Sequence, residues 1–462
     1  MATRHPRPFL PAACLLSVLL PGFSASAAPA QVADLSVPAL VKLWEADHVD
    51  AGPPALLDHA RLMTRLDAAV KEGAGLYQVE TIGESVEGRP IEHLWFGHGP
   101  TTVLLWSQMH GDEATATSAL LDILRIVARH REDAAIKLLL DRLTIHFVPM
   151  VNPDGAERWQ RRNAQGIDIN RDALLLQSPE GRALKALRDR LQPALGFNLH
   201  NENWRTSAGK TRPAAISLLA VAGDEADTET PGRLLAKRTC AVIRQAVETL
   251  VPGQVARYDE DFEVRAFGDN ITRWGTPVVL IETGPYAGDH ADRDLVRLNV
   301  VAILSALDAL ASGSVDAADA ARYASLPMNT SSLYSVIISH ASIVPGTGVA
   351  PFIGDIALDS SRVVREAAGA RREAVQAFRL ADLGDMRVFT PLEPVDATGL
   401  FAVASRDWKA GDVVGIPDWS AFRSWRPLAV GAVTDIALLR PDAPGRYTIV
   451  RIVPAERLLG TD

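Results

Sequence analysis

Apolar and polar positions follow two different rhythms along this chain. Up to about residue 311, short apolar runs alternate with longer stretches of helical period. Residues 37–44 and 56–69 are amphipathic around the turn signal Gly52-Pro53-Pro54. Residues 77–82 and 91–96 read as strands around a turn-rich segment, and residues 101–107 as a buried strand. Leu120, Ile123, Leu124 and Val127 stand at i, i+3, i+4 and i+7, which predicts a helix over 114–129 lying back on the sheet. Residues 143–149, 195–199, 216–221 and 277–281 read as further strands, and 179–191, 233–250 and 294–311 as helices. The segment Asn152-Pro153-Asp154-Gly155 is a turn signal, and a polar loop runs from Arg161 to Asp172. Strands separated by helices of crossover length predict an α/β fold: a mixed, mainly parallel sheet with helices on both faces.

After Ser312 the rhythm changes. Short runs at 334–339, 353–358, 387–390, 400–404 and 447–453 are broken by Gly, Pro and Asp at close intervals, which predicts a small β-rich domain. The expected organisation is a signal peptide over 1–27, an N-terminal lead-in over 28–72, the α/β domain over 73–312, a linker over 313–332 and the β-rich domain over 333–462.

With 462 residues, 47% of them apolar, the chain can bury a large core. Arg4 and Arg7, an apolar stretch over 9–20 and Ala25-Ser26-Ala27 have the layout of a cleavable secretory signal. That stretch is too short to span a bilayer, and no later stretch reads as a transmembrane helix. Cys14 follows Pro11-Ala12-Ala13, a poor lipoprotein cleavage context, so a lipid anchor is not expected. Removing the signal takes the formal charge from −9 to −11 and leaves Cys240 as the only cysteine, so no internal disulfide can form. An acidic chain without a basic cluster has nothing to attract phosphate backbones or anionic lipid. The expectation is a periplasmic or secreted protein that neither binds nucleic acid nor inserts stably in a membrane.

Three apolar runs end in groups able to bind metal or carry a proton: His110 and Glu113 after 103–109, His200 after 195–199, and Glu282 after 278–281. In an open α/β sheet the carboxyl ends of the strands form the ligand crevice, so residues distant in sequence can meet there. His110, Glu113 and His200 make a His₂Glu set suited to one Zn²⁺ per chain, with a position left for water. Glu282, near the metal but not on it, suits a general base. Arg162 is a candidate to stabilise a developing oxyanion, with Arg161 as the alternative. Arg171 with Asn170 suits a carboxylate, because a guanidinium forks onto two oxygens.

Competing readings stand beside these. Glu113 by itself would favour the start of the following helix by under ~1 kcal/mol. His200 and Glu282 would suit the polar rim of a core, and Arg171 a surface pair with Asp168 or Asp172. His146, alternating with Ile145 and Phe147, reads as a structural histidine, and His290 and His340 as loop and surface groups.

His110-Gly111-Asp112-Glu113, Asn152-Pro153-Asp154-Gly155, the run Arg162-Asn163-Ala164 through Gly166-Ile167-Asp168-Ile169-Asn170-Arg171, and Leu199-His200 resemble, in order, the signatures of the zinc carboxypeptidase (metallocarboxypeptidase) family. Four ordered motifs over about residues 77–311 make the resemblance specific. It implies zinc on His110, Glu113 and His200, Arg162 as carbonyl polariser, Asn170 and Arg171 as the clamp for a substrate's free C-terminal carboxylate, and Glu282 as base. The implied activity is hydrolysis of the C-terminal amide bond of peptides or peptide-like substrates. Murein stem peptides are an alternative substrate, and a non-catalytic binding protein retaining the fold an alternative role. The family also closes a Tyr over substrate, and Tyr258 stands at a plausible distance before Glu282 in an unfamiliar context. Asp112 departs from digestive-type members, which carry Arg there, and the loop Asn201-Glu202-Asn203-Trp204 is also unfamiliar. Asp269 would favour a basic terminal residue if it faces the pocket. Residues 338–348 and 354–357 are similar to small β-domain strands of amidohydrolases, which suggests an accessory module.

Overall fold

The computed structural model describes Met1 and residues 34–461, apart from 260, 369, 370 and 406, so the expected signal peptide lies outside the described residues. Two helices, α1 (Val37–Asp47) and α2 (His59–Gly73), precede the strands β1 (Gln78–Glu84), β2 (Pro90–Gly97) and β3 (Thr101–Ser107). Then follow α3 (Thr115–His130), α4 (Ala134–Arg142), β4 (Leu143–Val148), α5 (Pro153–Arg158), α6 (Pro179–Leu191), β5 (Leu195–Asn201), β6 (Thr206–Ala208), β7 (Arg212–Pro213) and β8 (Ile216–Ala220). The α/β part ends with α7 (Pro231–Glu248), β9 (Val255–Arg257), α8 (Phe267–Arg273), β10 (Val278–Thr283) and α9 (Arg293–Ser312).

The main sheet has eight strands in the order β1-β2-β4-β3-β5-β10-β8-β9. At its centre β4, β3, β5 and β10 run parallel, while β1, β2 and the β8–β10 contact are antiparallel. The strands are buried on both faces. Val103 and Leu105 of β3 point into the core shared with α3, α7 and α9, whereas Leu104 and Trp106 point to the core under α6 and α8. This is the expected mixed α/β architecture.

The sequence pattern did not announce α4, α5 or α8. Asn152-Pro153-Asp154-Gly155 is the start of α5: the Asn152 side chain accepts from Gly155 N, and Pro153 occupies the first helical position. In α8 the short span and its polar residues mask the buried Phe267 and Ile271. One expectation is corrected: Arg293–Ser312 does have the length and apolar composition to cross a membrane. In this fold α9 is a core helix, with Leu298, Val301, Ala302 and Leu307 buried against α3, α4 and α7.

Beyond α9 the chain forms α10 (Ala320–Ala324), whose Tyr323 hydroxyl accepts from Ala220 N of β8. It continues through β11 (Asn329–Ser331), β12 (Leu333–Ile343), β13 (Phe352–Ala367), β14 (Arg371–Gly384), β15 (Thr390–Asp396), β16 (Phe401–Ala404), β17 (Val413–Gly415), β18 (Ile436–Ala443), β19 (Arg446–Val453) and β20 (Glu456–Thr461). Strands β12 to β20 build a second, nine-stranded sheet centred on β12, with β13 and β14 as a long hairpin. β11 pairs with β6, so the loop after His200 is stitched to this region.

Candidate active site

Three neighbouring parallel strands bring the chemistry together. Ser107 of β3 is the register partner of Leu199 of β5, and His200 of β5 is the partner of Glu282 of β10. After β3 the backbone turns through Gln108 at φ 51° and returns His110 and Glu113 over the strand ends. The segment around Asn152 fixes that turn. Val151 N donates to Ser107 O and Asn152 N to Gln108 O, and the buried Asn152 amide donates to Met109 O at 3.3 Å and Arg161 O at 3.2 Å. Gly111 lies so close to Gly155 that a Cβ there would stand 2.0 Å from the Gly155 carbonyl carbon, so glycine is required.

His110 Nδ1 is 2.7 Å from Glu113 Oε1, His200 Nδ1 is 2.7 Å from Glu113 Oε2, and the two imidazole Nδ1 atoms are 3.2 Å apart. All three side chains are buried, and their ligand atoms lie within 4.8 Å of one another. On its far side His110 Nε2 is 3.2 Å from Asp168 Oδ1, a carboxylate behind the imidazole that orients the ring and raises its basicity. Burial works to lower the His110 pKa, but Glu113 and Asp168 push it up to about 9. Burial works to raise Glu113, yet the two histidines hold it well below the usual carboxylate range. A carboxylate so placed between imidazoles is a cation site by its chemistry, and the convergent donor set fits zinc.

Glu282 is buried, and burial together with the charges of Glu113 and Glu202 raises its pKa well above the carboxylate value, against Arg161 and Arg171. The Tyr258 phenol is raised chiefly by the charge of Glu282, then by burial. That charge coupling ties Tyr258 to the site.

The arginine assignment is corrected. Arg162 is exposed and its Nη1 donates to Gly166 O at 3.0 Å, away from the ligands. Arg161 is the residue at the cluster: Nη1 is 3.1 Å from His110 Nδ1 and 3.6 Å from Glu113 Oε1, and Nε donates to Asp168 Oδ2 at 2.9 Å. The Asn152 amide holds the Arg161 backbone carbonyl beside the cluster.

Asn170 accepts from Phe267 N through Oδ1 at 2.9 Å, and Arg171 donates to Asn170 O and pairs with Glu263 at 3.4 Å. Asp269 lies in the first turn of α8, and burial raises its pKa to about 6. Sequence reasoning missed Asp168 as the partner of a ligand histidine, and Glu202, whose carboxyl burial raises to about 7. Asp168 was legible only as a carboxylate near Asn170 and Arg171, and nothing in the sequence turns it toward His110. His146 is indeed structural, 2.8 Å from His93 within the sheet.

A model of the zinc carboxypeptidase family matches residues 62–211, a span that holds the three candidate ligands and stops short of Glu282. Carboxypeptidase E of Caenorhabditis elegans is 32% identical over 136 residues, covering 25% of this chain and 29% of its own length. Carboxypeptidase M of Mus musculus is 30% identical over 124 residues, covering 23% and 28%. The chain thus spans less than a third of the length of these curated relatives. A metallo-carboxypeptidase structure from Burkholderia cenocepacia aligns with a TM-score of 0.46 at 18% identity, covering 55% of this chain and 69% of that one. Residues 62–211 of this chain are thus similar to the zinc carboxypeptidase domain.

Proposed function

We propose that the chain is an exported zinc-dependent carboxypeptidase that hydrolyses the C-terminal amide bond of peptides with a free terminal carboxylate. The observation that carries this reading is the buried His110, Glu113 and His200 set with Glu282 beside it, at the ends of three adjacent parallel strands. Zinc on that set would supply Lewis acidity and make water nucleophilic near neutral pH. Glu282, its pKa raised by burial and by the charges of Glu113 and Glu202, takes the proton of the attacking water and hands it to the leaving amine. Arg161 offers a guanidinium to the oxygen that becomes negative, in the role first given to Arg162. Asn170 and Arg171 hold the terminal carboxylate, and Asp269, within electrostatic reach of Arg171, favours a basic terminal side chain. Residues 1–27 direct export, residues 73–312 carry the chemistry, and residues 333–462 form the accessory β-region.

The test is zinc content by elemental analysis, together with mass-spectrometric detection of residue release from a peptide library by wild type and Glu282→Gln. About one zinc per chain and release lost only in the variant supports the reading. Absence of zinc would overturn it.

A further inference from the structure

A cleft of about 710 Å³ opens beside the ligand cluster, and both parts of the chain wall it. Glu113 and Arg161 line it on the metal side, Asn203 and Trp204 come from the loop after His200, and Ser361 and Arg362 of β13 face them from the C-terminal β-region. The described residues lining it include neither Asn170 nor Arg171. A peptide whose carboxylate rests on that pair and whose last amide reaches Glu113 and His200 must lead its preceding residues away from the clamp. This cleft, lined by Glu113 and by neither clamp residue, offers such a path.

The β13 wall is fixed in place. Arg362 is nine-tenths buried, pairs with Asp292 at the start of α9, and lies 4.7 Å over the Trp204 ring. Its carbonyl accepts from Trp159 Nε1 at 3.3 Å, and Trp159 itself sits at φ 50° and lines the same cleft. On the facing loop, the Arg205 guanidinium lies 4.2 Å over Tyr334 of β12. Apart from Trp159, Trp204, Gly284 and Leu295, the lining side chains are hydroxyl, amide and charged groups, the donors and acceptors that a polar peptide backbone needs.

We propose that the C-terminal β-region is a substrate-binding element: β13 at Ser361 and Arg362 receives the polar peptide segment preceding the scissile bond. The inference rests on the carboxypeptidase reading and adds a preference for extended peptides over blocked dipeptides. Ser361 is exposed in the cleft, so a large side chain there fills the space without disturbing the core.

The experiment compares kcat/KM for an acetylated dipeptide and for a pentapeptide with the same last two residues, in wild type, Ser361→Trp and, from the opposite wall, Asn203→Trp. Thermal unfolding checks that each variant is folded, and either folded variant reads the cleft. Wild type should favour the pentapeptide by about tenfold, the gain from a hydrogen bond or two to charged groups. Each tryptophan should abolish that gain through KM and leave the dipeptide within about twofold. Equal losses on both substrates, or no loss on either, overturn the proposal while leaving the carboxypeptidase reading intact. If wild type releases no terminal residue from either peptide, the reading beneath it fails as well.

Discussion

Replacing Arg161 and Arg162 one at a time separates two neighbouring residues that the fold sends in opposite directions. Arg161 spans the ligand histidine and its carboxylate partner, at 3.1 Å from His110 and 2.9 Å from Asp168, and is 43% exposed toward the cleft. A charged donor aimed at a developing oxyanion is worth ~2.7–4 kcal/mol, so Arg161→Ala should lower kcat by about 10²–10³. Its half-exposed ion pairs with Asp168 and Glu113 contribute at most ~1 kcal/mol to folding, so the thermal midpoint should fall by only a few degrees. Among the described residues exposed Arg162 donates to Gly166 O, and Arg162→Ala should stay within ~0.5 kcal/mol in activity and stability. The assay is steady-state kinetics on one peptide, with zinc measured on the same samples. Arg161→Ala should keep its zinc, since the guanidinium is not a ligand. A larger loss for Arg162→Ala than for Arg161→Ala would refute the assignment.

Glu282→Gln should reduce turnover by about 10²–10⁴ with zinc retained, as loss of a general base does; a variant that still turns over within tenfold would remove Glu282 from that role. Zinc at 100 times its dissociation constant should raise stability by ~2.7 kcal/mol in wild type, seen as a rise of the melting temperature, and His200→Ala should abolish the rise. Asp269 has a folded pKa of about 6, raised by burial from 3.8. For a group raised in this way, its contribution to stability is full below the unfolded value and is lost as pH climbs through about 6. Asp269→Asn should therefore be more stable than wild type at pH 8, by up to about 2–3 kcal/mol, with the gain shrinking toward pH 4. Urea unfolding at several pH values measures this, and a pH-independent difference would contradict it.

Where burial speaks through apolar period, the sequence was easy to read. β3, β5 and β10 are buried, so the apolar runs that lead to His110, His200 and Glu282 stood out in the pattern, whereas the pairing that makes the three strands neighbours did not. Nor did which of two adjacent arginines turns inward. The Asn152 amide holds the Arg161 backbone carbonyl beside the cluster, a contact across nine residues that no periodicity records. Asp168 was hidden for the same reason, because its partner His110 is 58 residues away. The far half of β13 was also illegible: its Ser360-Ser361-Arg362 segment is polar because it faces the cleft, not a core. The loop Asn201 to Arg205, unfamiliar as sequence, acquires a reason once β6 pairs with β11 and Arg205 stacks on Tyr334.

The most direct test of the central claim is to incubate the zinc-loaded protein with matched peptides, one set with free C-termini and one amidated, and weigh the products. If Asn170 and Arg171 hold the terminal carboxylate as proposed, single residues leave the C-terminus of the free set and none leaves the amidated set. Internal cleavage, or equal trimming of both sets, would contradict it.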